Sequence, residues 1–349
     1  MEKHAKLLGC KIDKNMTFVP QIKYVTEKMK KVLFLMQRSA NSRVGASPAK
    51  LLNIFNQYIF PRCDYASCLW IFRLFFYRKR RFFGDTNTMS PGLTPDASPL
   101  RPYGEHFKTL NKVFMQCMRL VIGAHGSSCA EAVLVRLGVM PLRYMLAFRA
   151  SLWFLKIISG ESDKLLLDQW KTMCTDTEAY EFSCFYRGCD EFIKRLNTFS
   201  DIDILSCPRG LRKKILSKAI FCDLSIFWSN FQSARVTRRI HENWHTRSVH
   251  SSFVTRYSLT VYHNLALGRG PLRAITRRDK PYNLKCCRHG CGCLEDLHHL
   301  LLVCKFVRNQ RKAAEEVLKQ KRLKLSIRNM LSVEEVREII ENLILTFLA

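Results

Sequence analysis

The eighteen residues from Cys287 to Cys304 constrain this chain more than any other stretch. They read Cys-Arg-His-Gly-Cys-Gly-Cys-Leu-Glu-Asp-Leu-His-His-Leu-Leu-Leu-Val-Cys. Taken as Cys287-x3-Cys291-x7-His299-x4-Cys304, they offer three thiolates and an imidazole. Zn²⁺ is a borderline-soft ion that takes four such ligands tetrahedrally, and a closed set leaves no open position for a substrate. The expected role is structural: one zinc, whose binding free energy is folding free energy for a small knuckle. Spacing leaves alternatives open, since Cys286 and Cys293 can stand in for Cys287 and Cys291, and His298 for His299. A helix after Glu295 would set His299 and Cys304 about one turn apart on a shared face. The metal-free alternative is a set of buried cysteines acting as small hydrophobes. The pattern points toward a nucleic-acid or partner-binding module and away from a metalloenzyme.

Charge is the second constraint. Lys and Arg number 57 against 29 Asp and Glu, a net charge of +28. Such a chain is drawn to polyanions, with RNA or DNA the default partner and an anionic membrane surface the competitor. The apolar stretch Tyr65–Phe83 is not a membrane span, because Arg73 interrupts it and Arg78-Lys79-Arg80-Arg81 follows. Its uninterrupted part is far short of the ~20 residues a spanning helix needs. The opening Met-Glu-Lys-His-Ala-Lys carries no secretory pattern, and outside 286–304 the cysteines are scattered singly within an odd total of 15. An intracellular, reducing location, nucleus or cytoplasm, is therefore expected.

Periodicity predicts a mainly α protein with a short N-terminal β element. Lys6–Asp13 has strand character and Asp13-Lys14-Asn15 turns the chain. Pro20 then opens a helix whose apolar face is Ile22, Val25, Met29, Val32, Leu33 and Met36. Ser47-Pro48 reads as an N-cap with proline at the first helical position, and Pro61 as the end of that helix. Residues 73–105, punctuated by Pro91, Pro95, Pro99 and Pro102, carry no period and read as a disordered insertion or linker. Helices are expected at about 107–123, 129–138 and 141–159. A less regular stretch (160–208) follows, then a helix after Pro208 with Ile215, Ala219, Cys222 and Ile226 as its apolar face. Leu259–Leu267 reads as helix, Gly268-Arg269-Gly270-Pro271 as a sharp turn, and Val333–Leu348 as an amphipathic helix. The expected segments are 1–72, 73–105, 106–160, 161–254 and a knuckle-bearing 255–349. The acidic pairs Asp201/Asp203, Glu295/Asp296 and Glu334/Glu335 read as solvated faces rather than nuclease carboxylates.

Four pieces, in order, resemble the C-terminal part of a LINE-like, non-LTR retrotransposon reverse transcriptase of the Jockey-like kind. Lys6-Leu7-Leu8-Gly9-Cys10-Lys11-Ile12-Asp13, with Met16-Thr17-Phe18 after it, is similar to the strand at that family's palm–thumb junction. Ile59-Phe60-Pro61-Arg62-Cys63-Asp64-Tyr65-Ala66-Ser67-Cys68-Leu69-Trp70 resembles its thumb pattern of Pro, Tyr and a closing Trp. Leu110–Ala124 with Leu137-Gly138-Val139-Met140-Pro141-Leu142 resembles the next thumb helices. Gly268-Arg269-Gly270-Pro271-Leu272 leading into the Cys/His cluster resembles the C-terminal zinc module. The resemblance implies a helical thumb-like region that clamps primer and template and holds the element's RNA during target-primed reverse transcription. It also departs from the family. No Asp-Asp pair, which would hold the catalytic metals, occurs anywhere, so RNA-directed DNA polymerisation would require a polymerase palm supplied in trans. Residues 73–102 interrupt the thumb pattern, as an insertion or a long surface loop.

Candidate nucleic-acid-binding residues follow from charge and placement. Lys28, Lys30, Lys31 and Arg38 occupy the polar side of the first helix, and Lys305, Arg308, Arg311 and Lys312 fall at i, i+3, i+6 and i+7 after the knuckle. Phosphate contacts of this kind give affinity without sequence preference. Of two basic–aromatic clusters, Phe75–Phe83 reads as a base-stacking groove or as part of a translated insert, and Arg235–Arg247 around Trp244 as an RNA contact or local packing. Trp70 and Trp153 read as core. The expected function is non-catalytic nucleic-acid binding. The alternatives are a host-adopted protein-interaction module with a structural zinc, and a decayed reading frame without function.

Overall fold

Leu8 and Gly9, both at positive φ (47° and 83°), fold the N-terminal segment back on itself. The computed structural model describes residues 4–15, 17–40, 45–76, 105–161, 164–176, 184–200, 202–232, 234–244 and 256–348. In it the single extended element expected over Lys6–Asp13 is a hairpin of β1 (His4–Leu7) and β2 (Cys10–Asp13), antiparallel with His4 opposite Asp13. A two-residue loop with positive φ at both positions matches the twist of paired strands. These are the only named strands among the described residues, and the chain is mainly α.

Asp13 seats the first helix, Val19–Ser39. Its carboxylate accepts the N–H groups of Thr17 (3.2 Å) and Phe18 (2.9 Å) and the Thr17 hydroxyl (3.0 Å). The expected apolar face, from Ile22 to Met36, is buried. Ser47 caps the next helix, Pro48–Ile54, by accepting the Lys50 N–H.

Pro61, expected to end that helix, does not. A π-helical turn, Phe55–Ile59, intervenes, and Pro61 sits at the opening of a further α turn, Phe60–Asp64. Proline lacks an N–H and crowds the carbonyl four residues back. At the start of an α segment that N–H would have no intrahelical partner, and a wider π turn just before it relieves the crowding.

The described chain divides into two compact units. One comprises Met1–Leu33, Asn56–Phe114 and Met140–Asn230; the other Phe34–Phe55, Met115–Val139 and Phe231–Ala349. In the first, Ser67–Phe76 packs against Leu142–Ile158 and Cys184–Asn197, and Arg209–Asn230 completes the layer. The stretch 160–208, expected to be the less regular part of a helical connector over 161–254, contains the helices Lys164–Thr175 and Cys184–Asn197 among its described residues. The second buries Tyr186, Cys189, Phe192, Ile193 and Leu196, a helical stripe visible in hindsight.

The Arg209–Asn230 helix is also rotated from its expected face. It buries Leu216, Ile220, Leu224 and Trp228 together with the expected Ala219, and leaves Ile215 and Cys222 partly buried and Ile226 half exposed. The cause is Asp223, which is turned inward to accept the Tyr144 hydroxyl (2.8 Å) and the Arg195 guanidinium (2.6 Å). A buried carboxylate needs such partners, so this pair fixes the helix's rotation.

In the second unit, Arg256–Ala266 and Arg308–Gln320 both pack on the C-terminal helix Arg337–Leu348, and Ile327–Ser332 packs on Arg235–Ile240. The apolar core joins Tyr262, Leu265, Leu300, Leu318, Ile340 and Phe347. The expected final helix begins with a short 3-10 turn, Glu334–Val336. No helix among the described residues is long and apolar enough to cross a membrane. The expected linker lies outside the described residues over 77–104, whereas 73–76 close the Ser67–Phe76 helix.

Candidate metal centre and cationic face

Backbone pairing pinches residues 285–295 into a tight ribbon. Glu295 N–H donates to Lys285 (2.9 Å), Cys287 N–H to Cys293 (2.8 Å), and Cys286 bridges Leu294. Between them Gly290 and Gly292 take positive φ (75° and 71°), which glycine adopts without a Cβ penalty. The turn aims the N–H groups of His289 and Cys291 at the Cys287 sulfur.

Asp296 starts the second half of the site by accepting the His299 N–H at 2.7 Å. The run that follows is not the α-helix expected. His299–Val303 is a π turn, and Cys304 N–H donates to the His299 carbonyl at 2.7 Å. Five residues overshoot a 3.6-residue turn by about 140°, so an ordinary α-helix would swing Cys304 off the face of His299. The wider turn returns it to that face.

The four expected ligands converge. One donor atom from each of Cys287, Cys291, His299 and Cys304 lies within 4.8 Å of all the others. Cys304 Sγ is 3.9 Å from Cys287 Sγ and 3.8 Å from Cys291 Sγ. A tetrahedron with Zn–S bonds of ~2.3 Å has edges of about 3.8 Å. A disulfide, at about 2.05 Å, is far shorter, and Cys287, Cys291 and Cys304 are all free. His299 is buried and neither ring nitrogen has a hydrogen-bond partner, so one of them suits a cation. The residues therefore fit a metal ion, and four protein ligands close the site. Cys286 instead donates to the Tyr282 carbonyl (3.4 Å), while Cys293 and His298 are exposed.

Before any cation binds, the local electrostatics favour ligation at His299 and Cys291 and oppose it at Cys287 and Cys304. Burial lowers the pKa of His299, favouring the neutral imidazole that binds metals. Burial pushes the Cys304 thiol up to about 11 and raises Cys287 as well. Burial acts the same way on Cys291, but the Lys305 N–H and the neighbouring thiols outweigh it and leave that thiol below its ordinary value. A coordinated cation deprotonates such thiols outright.

Glu295, expected on a solvated face, is fully buried. It accepts the Arg288 guanidinium (2.7 Å), the Arg288 N–H (2.8 Å) and the Arg273 N–H (2.9 Å), tying the ribbon to the Arg273–Thr276 helix. Burial alone would raise its pKa; the bonds from Arg288 outweigh this and hold it below the usual carboxylate range. The acidic–basic pair seven residues apart was the available sequence signal. A second feature absent from the sequence expectations is a stack of His289 on Phe306, ring centroids 3.8 Å apart and 5° from parallel.

The cationic residues divide. Lys28 and Lys11 lie against the Tyr24 ring, and Lys30 pairs with Glu27 at 2.7 Å. Lys31 and Arg38 are exposed on the same side of that helix, among the exposed Phe34 and Leu35. After the knuckle, the Arg308–Gln320 helix carries Arg308 and Lys312 exposed. Lys305, expected on the same helical face, lies in the turn before the helix. Arg311 is turned back, donating to the Cys304 carbonyl at 2.8 Å.

Trp244 is buried, its indole N–H donating to the Val139 carbonyl at 3.2 Å, so it packs locally instead of presenting a stacking face. Trp70 is core as expected, whereas Trp153 is 38% exposed and packs against Phe185. Arg247 and the 78–83 run lie outside the described residues. No protein-family model, curated protein or solved structure matches this chain.

Proposed function

We propose that this protein is a non-catalytic nucleic-acid-binding module, built like the thumb-to-zinc region of a LINE-like reverse transcriptase, with one structural Zn²⁺ held by Cys287, Cys291, His299 and Cys304. The observation that carries the reading is the closed Cys3His cluster beside exposed cations in a chain of net charge +28. A metal closed off by four protein ligands serves folding rather than catalysis. Lys305, Arg308 and Lys312, with Lys31 and Arg38, supply phosphate contacts. No Asp-Asp pair occurs in the sequence, and two-metal phosphoryl transfer needs closely set carboxylates, so these residues carry no polymerase centre of their own.

The test is binding of the zinc-supplied full chain to RNA and DNA across a salt series. Affinity falling steeply and linearly in log–log form is expected, because neutralised phosphates release counterions. Absence of binding, or binding indifferent to salt, would overturn the reading.

A further inference from the structure

We propose that the His289–Phe306 stack is a platform for one unpaired base of a single-stranded nucleic acid, with Lys305, Arg308 and Lys312 holding the flanking phosphates; this rests on the nucleic-acid-binding reading above. The platform is built before any ligand arrives. His289 Nε2–H donates to the Phe347 carbonyl at 2.8 Å, and its ring packs edge-on against the buried Phe347 at 4.9 Å. Phe306 stacks on that fixed imidazole, and its own N–H is bonded to the Cys304 sulfur. Both rings are thus anchored to the metal knuckle and the C-terminal helix, and Phe306 remains 52% exposed.

Single exposed hydrophobic side chains are common and prove nothing alone. Here the exposed ring follows directly on Lys305 and stands within one helical turn of Arg308 in sequence. None of Lys305, Arg308 and Lys312 forms an ion pair among the described residues. Aromatic faces accept any base, whereas phosphates beside it require cations. A paired base inside a duplex keeps its faces covered by its neighbours, so the platform selects unpaired segments.

The experiment uses the zinc-supplied full chain and three probes: a short mixed-sequence RNA strand, the same sequence as DNA, and the matching RNA duplex. Phe306→Ala should weaken binding to either single strand by roughly tenfold or more, with the duplex little affected. Phe306→Trp should keep the parent's affinity, and zinc content measured in parallel shows that the knuckle is intact. Equal losses for RNA and DNA strands assign the contact to the base; a loss on RNA alone adds the 2′-hydroxyl. If Phe306→Ala with its zinc retained binds both strands and duplex as the parent does, the platform is wrong and the wider reading stands. If the parent binds none of the three probes, both readings fall.

Discussion

The backbone N–H of Cys304 donates to the carbonyl of His299 at 2.7 Å, closing a five-residue turn where an α-helix would close four. That one wide turn brings the second pair of donor groups to the first. Cys287 and Cys291 come from a glycine-hinged ribbon, and the distances from the Cys304 sulfur to each of theirs match the edge of a zinc tetrahedron. The cationic turn, the stacked rings and the C-terminal helix are all fastened to this knuckle.

Glu295 is the internal strut of that knuckle. Glu295→Gln leaves the Arg288 guanidinium without its anion and should cost about 3 kcal/mol, the low end for breaking a buried pair, because Arg288 keeps some solvent contact. Thermal melting of the zinc-supplied chain measures it. A midpoint equal to the parent's would show that the pair contributes little.

Gly123 allows close approach in the same unit. It sits at φ +64°, and a Cβ there would lie 2.3 Å from Thr260 Oγ1. Gly123→Ala should destabilise by about 1–2 kcal/mol through its left-handed backbone, with overpacking adding about 1–3 kcal/mol. Gly126→Ala, with nothing within 4 Å, should stay within about 0.5 kcal/mol. Denaturant midpoints of the two variants would have to coincide to contradict this.

His263 makes the second unit acid-sensitive. It is buried, its Nδ1 accepts the Arg136 Nε–H at 3.1 Å, and burial together with Arg136, Arg337 and Arg256 holds its pKa well below the ordinary value. The unfolded chain takes up this proton near pH ~6.5 and the folded chain does not. This contribution to stability is therefore present above that pH. It is lost as pH falls toward the folded pKa, by up to about 1.4 kcal/mol per pH unit. His263→Gln, which keeps an acceptor for Arg136, should flatten the pH profile of unfolding relative to the parent. Parallel profiles would exclude His263 as the cause.

Charge reversal separates the two cationic sites. Lys305→Glu combined with Arg308→Glu should reduce the salt slope of single-strand binding by about 0.7 for each phosphate contact removed. Lys30→Glu should do less, since Lys30 is already engaged by Glu27. Equal slopes in the parent and the Lys305/Arg308 double variant would mean that this patch does not meet the backbone.

Much of this was legible in the residues themselves. The apolar stripe of Val19–Ser39 and the Ser47 cap follow from local spacing, and the set Cys287, Cys291, His299 and Cys304 is one of those that local spacing allows. The differences arose where a distant partner decides. Asp223 rotates its helix because Tyr144, some eighty residues earlier, offers a hydroxyl (|i−j| of 79), and no periodicity encodes that bond. Glu295 reads as a surface acid until Arg288 and Arg273 are seen closing on it. The π turns at 55–59 and 299–303 add a residue to a helix without any residue type that announces it.

Metal stoichiometry of the full chain by native mass spectrometry tests the central claim most directly. One zinc per chain is expected, lost in His299→Ala and Cys304→Ser and kept in Cys286→Ser, Cys293→Ser and His298→Ala. No bound zinc in the parent, or zinc retained after loss of His299 or Cys304, would contradict the closed Cys3His site and the function built on it.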